Sequence, residues 1–105
     1  MIPYKILSLD DAPEVKINPN GKILYTSENI EMVHLTMKQG ETMERHSQPF
    51  EVVFFVIYGT GVLDVRNDQI MATPNTCIHV AKGALRRWRN TGVSDLKILV
   101  IKDHG

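Results

Sequence analysis

Two short groups of side chains in the sequence have residue types and a spacing that could bind or transform a small molecule. His46 and Gln48 lie two positions apart, and so do Arg86 and Trp88 further along the chain. Because successive side chains of a strand point to opposite faces, each pair shares one face if its segment is extended. An imidazole can serve as a base or a metal ligand, whereas a guanidinium presents a planar fork of donors that suits a carboxylate or a phosphate. These residue types favour a site for an anionic or oxygen-rich molecule.

The segments that carry these residues are predicted to be β-strands. Apolar residues recur at a spacing of two or in short β-branched and aromatic runs, and no segment keeps the repeat of an amphipathic helix. Turn-forming residues separate the runs at regular intervals, as at residues 18–21. We predict strands near residues 4–9, 22–26, 30–38, 42–47, 51–58, 61–66, 69–72, 77–81, 84–90 and 95–102. This pattern predicts one all-β domain over residues 1–105, built as a jelly-roll-like barrel.

Composition and charge argue against several functional classes. The chain has 12 Lys and Arg against 12 Asp and Glu, so it lacks the basic excess of a dedicated nucleic-acid binder. A single cysteine, Cys77, rules out an intramolecular disulfide and a cysteine-rich zinc site. No apolar run approaches the length of a membrane span, and the first residues lack the apolar region of a signal peptide. We therefore expect a cytoplasmic protein with no membrane or nucleic-acid partner.

Two regions of the sequence resemble the paired motifs of the cupins. Residues 40–59 are similar to the first cupin motif, G-x5-H-x-H-x3,4-E-x6-G, and residues 75–90 are similar to the second, G-x5-P-x-G-x2-H-x3-N. The matching positions are Gly40, His46, Gly59, Gly83 and Asn90. The resemblance implies a cupin-like double-stranded β-helix, that is, a jelly-roll barrel in which the two motifs face each other.

The departures from the cupin motifs concern the metal site. In the family, three histidines and one glutamate hold a divalent metal, and these positions are His46, Gln48, Val52 and Arg86 in this sequence. Only one ligand is retained. A shifted register would offer Glu51 in place of Val52, but alternation along a strand allows only one of the two inside the barrel. We expect Val52 inside, Glu51 on the outer face, and neither a metal nor another cofactor.

The altered ligand positions leave two alternatives for Arg86. It either binds an anionic ligand together with His46 and Gln48, or it bonds an internal carboxylate or barrel carbonyls and fills a degenerated metal site. Trp88 and Phe54 likewise either stack on a ligand or pack the interior, where small barrels hold bulky side chains. The candidate ligand-binding residues are His46, Gln48, Phe54, Arg86 and Trp88.

Two other clusters give weaker signals. Arg87 and Arg89 lie on the strand face opposite to that of the preceding arginine, so we expect them to pair with acids such as Asp64 rather than to follow a phosphate backbone. His34 and His79 lie on predicted strands and could join the motif histidine in a rebuilt metal site. Their spacing matches no zinc motif.

The resemblance and its departures lead to three functional hypotheses. The first is a metal-free cupin that binds a small anionic or sugar-like molecule inside the barrel. The second is a metal-independent isomerase or epimerase in which His46 is the base and Arg86 stabilises an enolate; its general acid is left open, with Tyr58 near the end of a predicted strand. The third is a metal-dependent dioxygenase or decarboxylase, which would need ligands that the chain lacks.

We also expect a homodimer. Single-domain cupins commonly pair through sheet edges or outer faces, and such pairing protects edge strands from aggregation. The apolar run Met1–Leu9 is short enough to add an edge strand to a partner subunit.

Overall fold

Nine β-strands in two sheets form the fold in the computed structural model, which describes residues 2–15 and 20–105. The strands are Glu14–Val15 (β1), Gly21–Thr26 (β2), Ile30–Met37 (β3), Glu51–Tyr58 (β4), Gly61–Val65 (β5), Asp68–Ala72 (β6), Cys77–Val80 (β7), Arg86–Arg89 (β8) and Leu96–Asp103 (β9). The larger sheet has the order β1-β2-β3-β9-β4-β7 and the smaller sheet β6-β5-β8. All paired strands are antiparallel, which confirms the predicted all-β class.

The core lies between the two sheets and follows strand alternation. Val52, Phe54 and Val56 of β4 are buried, while the residues between them are only partly buried. Leu63 and Trp88 contribute the facing side chains from the smaller sheet. The inward position of Val52 puts Glu51 on the outer face, as predicted from the alternation. No helix in residues 2–15 and 20–105 is long and apolar enough to cross a membrane.

All three motif glycines, Gly40, Gly59 and Gly83, have positive φ angles that favour glycine, and the last two show different surroundings. Gly59 joins β4 to β5 with a φ of 80°, and a Cβ there would overlap the carbonyl oxygen of Asp95. Gly83 has a φ of 81°, but a Cβ there would meet open space, so glycine is favoured at this position by the backbone conformation alone. The two matches to the cupin motifs therefore have different physical reasons.

The strand predicted near residues 4–9 is wrong. Residues 2–8 form no strand, and Leu9–Asp11 form a short 3-10 turn. The apolar side chains of this segment are exposed, with Ile6 at 86%. Alternation produces a strand only where a neighbouring edge offers partners, and this segment pairs with none of the described strands. Met1 and part of the turn predicted at residues 18–21 lie outside the described residues.

The strand predicted at residues 42–47 is replaced by an irregular segment along the edge of β8. Two isolated bridges join Thr42 to Arg89 and His46 to Arg86. Between the two bridges the segment advances by four residues, from Thr42 to His46, while β8 advances by three, from Arg89 to Arg86. The segment therefore contains one extra residue, as in a β-bulge. The bulge keeps the segment on the smaller sheet without continuous pairing.

Candidate functional site

A cavity of about 490 Å³ lies between the sheets and brings together the two groups of side chains singled out in the sequence. The candidate ligand-binding residues that line it are His46, Gln48, Phe54, Arg86 and Trp88. One wall is apolar and comes from β3, β4 and β9 of the larger sheet. The other wall is polar and comes from β8 and the bulged segment beside it.

Arg86 is buried in the polar wall, with 4% of its surface exposed. Its guanidinium lies 5.5 Å from the centroid of the Phe54 ring, and Nη1 is 3.5 Å from the carbonyl oxygen of His46, at the outer limit of a hydrogen bond. Nε has no hydrogen-bond partner, and no carboxylate of the described residues forms an ion pair with Arg86. Burial lowers the pKa of Arg86 from its ordinary value, although a guanidinium keeps its charge at neutral pH. Of the alternative in which Arg86 bonds an internal carboxylate or barrel carbonyls, the described residues show no carboxylate and one long contact with a carbonyl, that of His46.

Trp88 lies two residues further along the same face of β8 and is 2% exposed. Its ring meets Phe54 edge to face, with ring centroids 5.5 Å apart and an interplanar angle of 85°. Trp88 therefore packs the core, one of the two roles considered for it. Its indole Nε1 is buried without a hydrogen-bond partner, as is Nε of Arg86. An unsatisfied buried donor costs about 1–3 kcal/mol, so two adjacent ones are a feature that needs an explanation.

His46 and Gln48 stand at the edge of the polar wall. The backbone N–H of His46 donates to the carbonyl oxygen of Arg86 at 2.9 Å, which fixes the imidazole beside the guanidinium. Nδ1 of His46 lies 3.2 Å from the carbonyl oxygen of Glu44. Because a carbonyl only accepts, Nδ1 is assigned the proton of the neutral ring, and Nε2 keeps a free lone pair. Gln48 accepts a backbone hydrogen bond from Gly83 at 2.8 Å, which ties the two motif regions together.

The other face of β8 carries a separate ion-pair cluster. Asp64, 1% exposed, accepts hydrogen bonds from Nε of Arg87 at 2.8 Å and from Nε and Nη2 of Arg89 at 2.7 and 3.0 Å. Arg45 adds a longer ion pair at 3.9 Å. The hydrogen bonds from Arg89 and then Arg87 lower the pKa of Asp64 to about 2 against the opposing effect of burial. The predicted pairing of these arginines with Asp64 is confirmed.

The remaining histidines on strands take no part in the cavity. Nε2 of His79 is 2.7 Å from Oε1 of Glu51 on the outer face, and the other carboxylate oxygen accepts from the backbone N–H of Lys82 at 2.7 Å. That backbone bond, followed by the His79 contact, lowers the pKa of Glu51. His34 lies on β3 and does not line the cavity. Sequence reasoning missed the His79–Glu51 contact, because it depends on the register of β4 against β7.

The residues at the four family ligand positions do not fit a divalent metal. Val52 has no donor atom, and Arg86 is a fixed cation at the centre of the site. His46 and Gln48 alone form no closed coordination shell. Within the described residues, no group of three His, Cys, Asp or Glu side chains could hold an ion. Tyr58, the residue considered as a general acid, is exposed and lies outside the cavity lining.

The family model described as the cupin domain matches residues 33–102. This range begins within β3, ends within β9 and includes all the strands between them. The chain belongs to the cupin family. A search of curated proteins finds no match to this cupin.

Solved structures of other cupins share the fold at low sequence identity. A predicted oxalate decarboxylase from Thermotoga maritima has a TM-score of 0.83 at 13% identity, covering 94% of this chain and 98% of that chain. KdgF from Halomonas sp. has a TM-score of 0.81 at 12% identity, covering 94% of each chain. An RmlC-like cupin with a double-stranded β-helix fold from Methanocaldococcus jannaschii has a TM-score of 0.80 at 18% identity, covering 98% and 93%. These likenesses confirm the double-stranded β-helix fold.

Proposed function

We propose that this cupin binds a small organic anion inside its barrel, with Arg86 as the anchoring cation and no metal ion. The observation that carries the proposal is the buried guanidinium without a carboxylate partner. The other cations near the cavity have partners: Arg45 and Arg87 contact Asp64, and Lys102 lies 3.2 Å from Glu31. Among the described residues that line the cavity, Arg86 is thus the cation that has no carboxylate partner.

An anion at this position would remove an energetic cost that the free protein carries. A buried charge without a partner is strongly unfavourable, and a charge-assisted hydrogen bond is roughly twice as strong as a neutral one. His46 and Gln48 add a ring nitrogen and an amide at the edge of the same wall. This arrangement favours a carboxylate, a phosphate or a polar oxygen-rich molecule over an apolar one.

The metal-free part of the proposal rests on electrostatics. At about 4 Å and an effective dielectric constant near 20, two unit charges repel by roughly 4 kcal/mol, and a divalent ion doubles that value. One imidazole and one amide cannot compensate for such a repulsion. Elemental analysis of protein purified without an affinity tag should find no stoichiometric zinc, iron, nickel or manganese. Stoichiometric metal that is lost in His46→Ala would overturn this part.

Ligand binding is tested with a matched pair of variants on β8. Thermal-shift and calorimetric titrations with small carboxylates and sugar phosphates should identify an anion that raises the melting temperature. Arg86→Lys keeps the charge but loses the planar fork, so the affinity for that anion should fall by about tenfold, or about 1.4 kcal/mol. Arg89→Lys, on the other face of the strand, should leave the affinity unchanged. Equal affinities of both variants for every anion, or no anion binding at all, would overturn the proposal.

A second candidate function is proton transfer next to a carbonyl group. It is favoured by the Nδ1 contact of His46 with the Glu44 carbonyl, which leaves Nε2 as the basic nitrogen. In this reaction Nε2 takes the α-proton of a bound carbonyl compound, Arg86 stabilises the enolate oxygen, and the proton returns to carbon. Exchange of the α-proton of a bound keto acid in deuterated water, followed by NMR, would support it. Exchange that persists unchanged in His46→Gln would contradict it.

We also propose that two copies of the chain associate through the exposed apolar N-terminal segment. Ile2, Tyr4 and Ile6 are all largely exposed in the isolated chain, which is unusual for a run of large apolar side chains. A second copy would cover them and supply a sheet edge. Sedimentation at tens of micromolar should give a dimer that Ile6→Asp weakens; a monomer at that concentration would contradict the proposal.

A further inference from the structure

The two walls of the cavity differ in what they can offer a ligand. Val33 and Leu35 of β3, Phe54 of β4 and Val100 of β9 form most of the wall of the larger sheet, and none has a side-chain hydrogen-bonding group. All four side chains belong to the buried core cluster. Lys102 of β9 also lines the cavity, but it is paired with Glu31. The four apolar side chains favour an apolar surface, because polar groups placed against them would lose their hydrogen bonds to water.

Two buried donors of the facing wall cannot act as acceptors. A guanidinium and an indole N–H only donate, so Nε of Arg86 and Nε1 of Trp88 both need an acceptor atom. Because the residues lie two apart on one strand, both side chains project from the same face of β8. Both nitrogens are shielded from solvent in the folded chain, so an acceptor on a ligand reaches them only after neighbouring side chains shift.

A sugar or a phosphate ester suits the two buried donors less well than a carboxylate does. Sugar hydroxyls are donors as well as acceptors, and Arg86 and Trp88 cannot accept from them. A phosphate ester carries about two negative charges, whereas the cavity has one cation without a carboxylate partner among the described residues. A carboxylate carries one charge and two oxygens, one for the guanidinium and one for the indole.

Building on the proposed function, we infer that the ligand is a monocarboxylic acid with an apolar body, held by its carboxylate on Arg86 and Trp88 and by its body against Val33, Leu35, Phe54 and Val100. The carboxylate supplies acceptors to two buried donors. The apolar body is buried against the larger sheet, which adds to the binding free energy.

Trp88 gives a direct readout of this arrangement, because it is the single tryptophan of the chain. It provides one fluorophore and one indole cross-peak in a ¹H–¹⁵N spectrum of the intact protein. Titration with octanoate should shift both signals, since the indole N–H gains an acceptor. Octan-1-ol, which has the same apolar body without a carboxylate, should bind at least about tenfold more weakly. Glucose 6-phosphate and inorganic phosphate should leave the indole cross-peak in place.

A variant separates the role of the indole N–H from that of the aromatic ring. Trp88→Phe keeps an aromatic side chain but removes the donor, so calorimetry should show an affinity for octanoate about tenfold lower and an unchanged affinity for octan-1-ol. The titrations of the natural protein remain decisive if this variant does not fold.

Each outcome bears on a different part of the argument. Octanoate binding with the indole shift supports the inference. Binding of glucose 6-phosphate that depends on Arg86 and leaves the indole unshifted overturns the inference, while the proposed function stands. Equal binding of octanoate and octan-1-ol overturns the inference, because the carboxylate then contributes nothing. Absence of any anion binding, with Arg86→Lys indistinguishable from the natural protein, overturns both.

Discussion

Both faces of β8 carry arginines, but their surroundings differ. On the outer face, Arg87 and Arg89 meet Asp64 at 2.8 and 2.7 Å, and the aspartate is buried under them. On the inner face, Arg86 meets an aromatic ring and a distant carbonyl, and its Nε has no partner. The outer arginines are paired with a carboxylate, whereas the inner arginine keeps a donor that has no acceptor. Adjacent residues of one short strand thus separate a structural ion-pair cluster from the cation of the proposed binding site.

The difference has an energetic counterpart. A protein loses stability when one partner of a buried ion pair is removed. A buried charge without a partner lowers the stability of the protein that contains it, so its replacement by an apolar group is stabilising. Residues retained at such a cost are characteristic of sites in which function and stability are opposed. Substitutions on the two faces should therefore have effects of opposite sign.

Removal of the outer carboxylate should have the largest effect. Asp64→Asn leaves three arginines around a neutral amide, and we expect the free energy of unfolding to fall by about 2 kcal/mol. This is below the 3–5 kcal/mol typical of a broken buried pair, because Arg45, Arg87 and Arg89 are 38%, 33% and 24% exposed and water screens their repulsion. Urea denaturation measures the change. Asp68→Asn, an exposed carboxylate on the adjacent β6, is the control and should change the stability little.

Removal of the inner arginine should have a smaller effect of opposite sign. Arg86→Met replaces a buried, unpaired charge with an apolar side chain of similar length, so the ligand-free protein should gain about 1 kcal/mol. The same variant should no longer bind the anion. Arg89→Met on the outer face should instead lower the urea midpoint. A loss of stability in Arg86→Met would mean that its weak carbonyl contact, rather than a ligand, satisfies the guanidinium.

The pH dependence of stability should show Asp64 of the outer cluster most strongly, because the contacts that lower the pKa of Glu51 are partly exposed. The pKa of Asp64 is lowered from 3.8 to about 2 on folding, so the unfolded chain binds its proton more tightly than the folded protein does. The stabilisation is therefore fully present above about pH 4 and is lost as the pH falls through about 2. Urea midpoints of the natural protein should fall more steeply over this range than those of Asp64→Asn. Parallel curves for the two proteins would contradict the assignment.

The partly exposed carboxylate on the larger sheet should show the smallest effect. Glu51→Gln weakens the contacts with His79 and the Lys82 backbone, but solvent can replace them. Its urea midpoint at neutral pH should lie between those of Asp64→Asn and the natural protein. A loss as large as that of Asp64→Asn would show that burial does not explain the difference between the two carboxylates.

Strand alternation made the two faces of β8 predictable from the sequence. The separation of Arg86 from Arg87 and the inward position of Val52 follow from local geometry, which requires no knowledge of partners. The contact of His79 with Glu51 could not be predicted, because it depends on how β4 and β7 align. The unsatisfied nitrogens of Arg86 and Trp88 are likewise set by their surroundings in space.

The two errors in the predicted strands have the same cause. Residues 4–9 have an alternating pattern but no neighbouring edge in the described part of the chain, and residues 42–47 have an edge but an extra residue in the register. The local sequence pattern indicates which residues can adopt an extended backbone conformation. Whether they pair is decided by elements distant in sequence.

The bulge beside β8 also has a consequence for the timing of ligand exchange. Residues 42–46 are attached to the strand by two isolated bridges and by the bond from the Met43 N–H to the Trp88 carbonyl, whereas β8 is fully paired with β5 on its other side. Weakly paired edges open at a small fraction of the global free energy of unfolding. We therefore expect the bulged segment to open more readily than the core, so that the rates at which the proposed ligand enters and leaves the cavity depend on this segment.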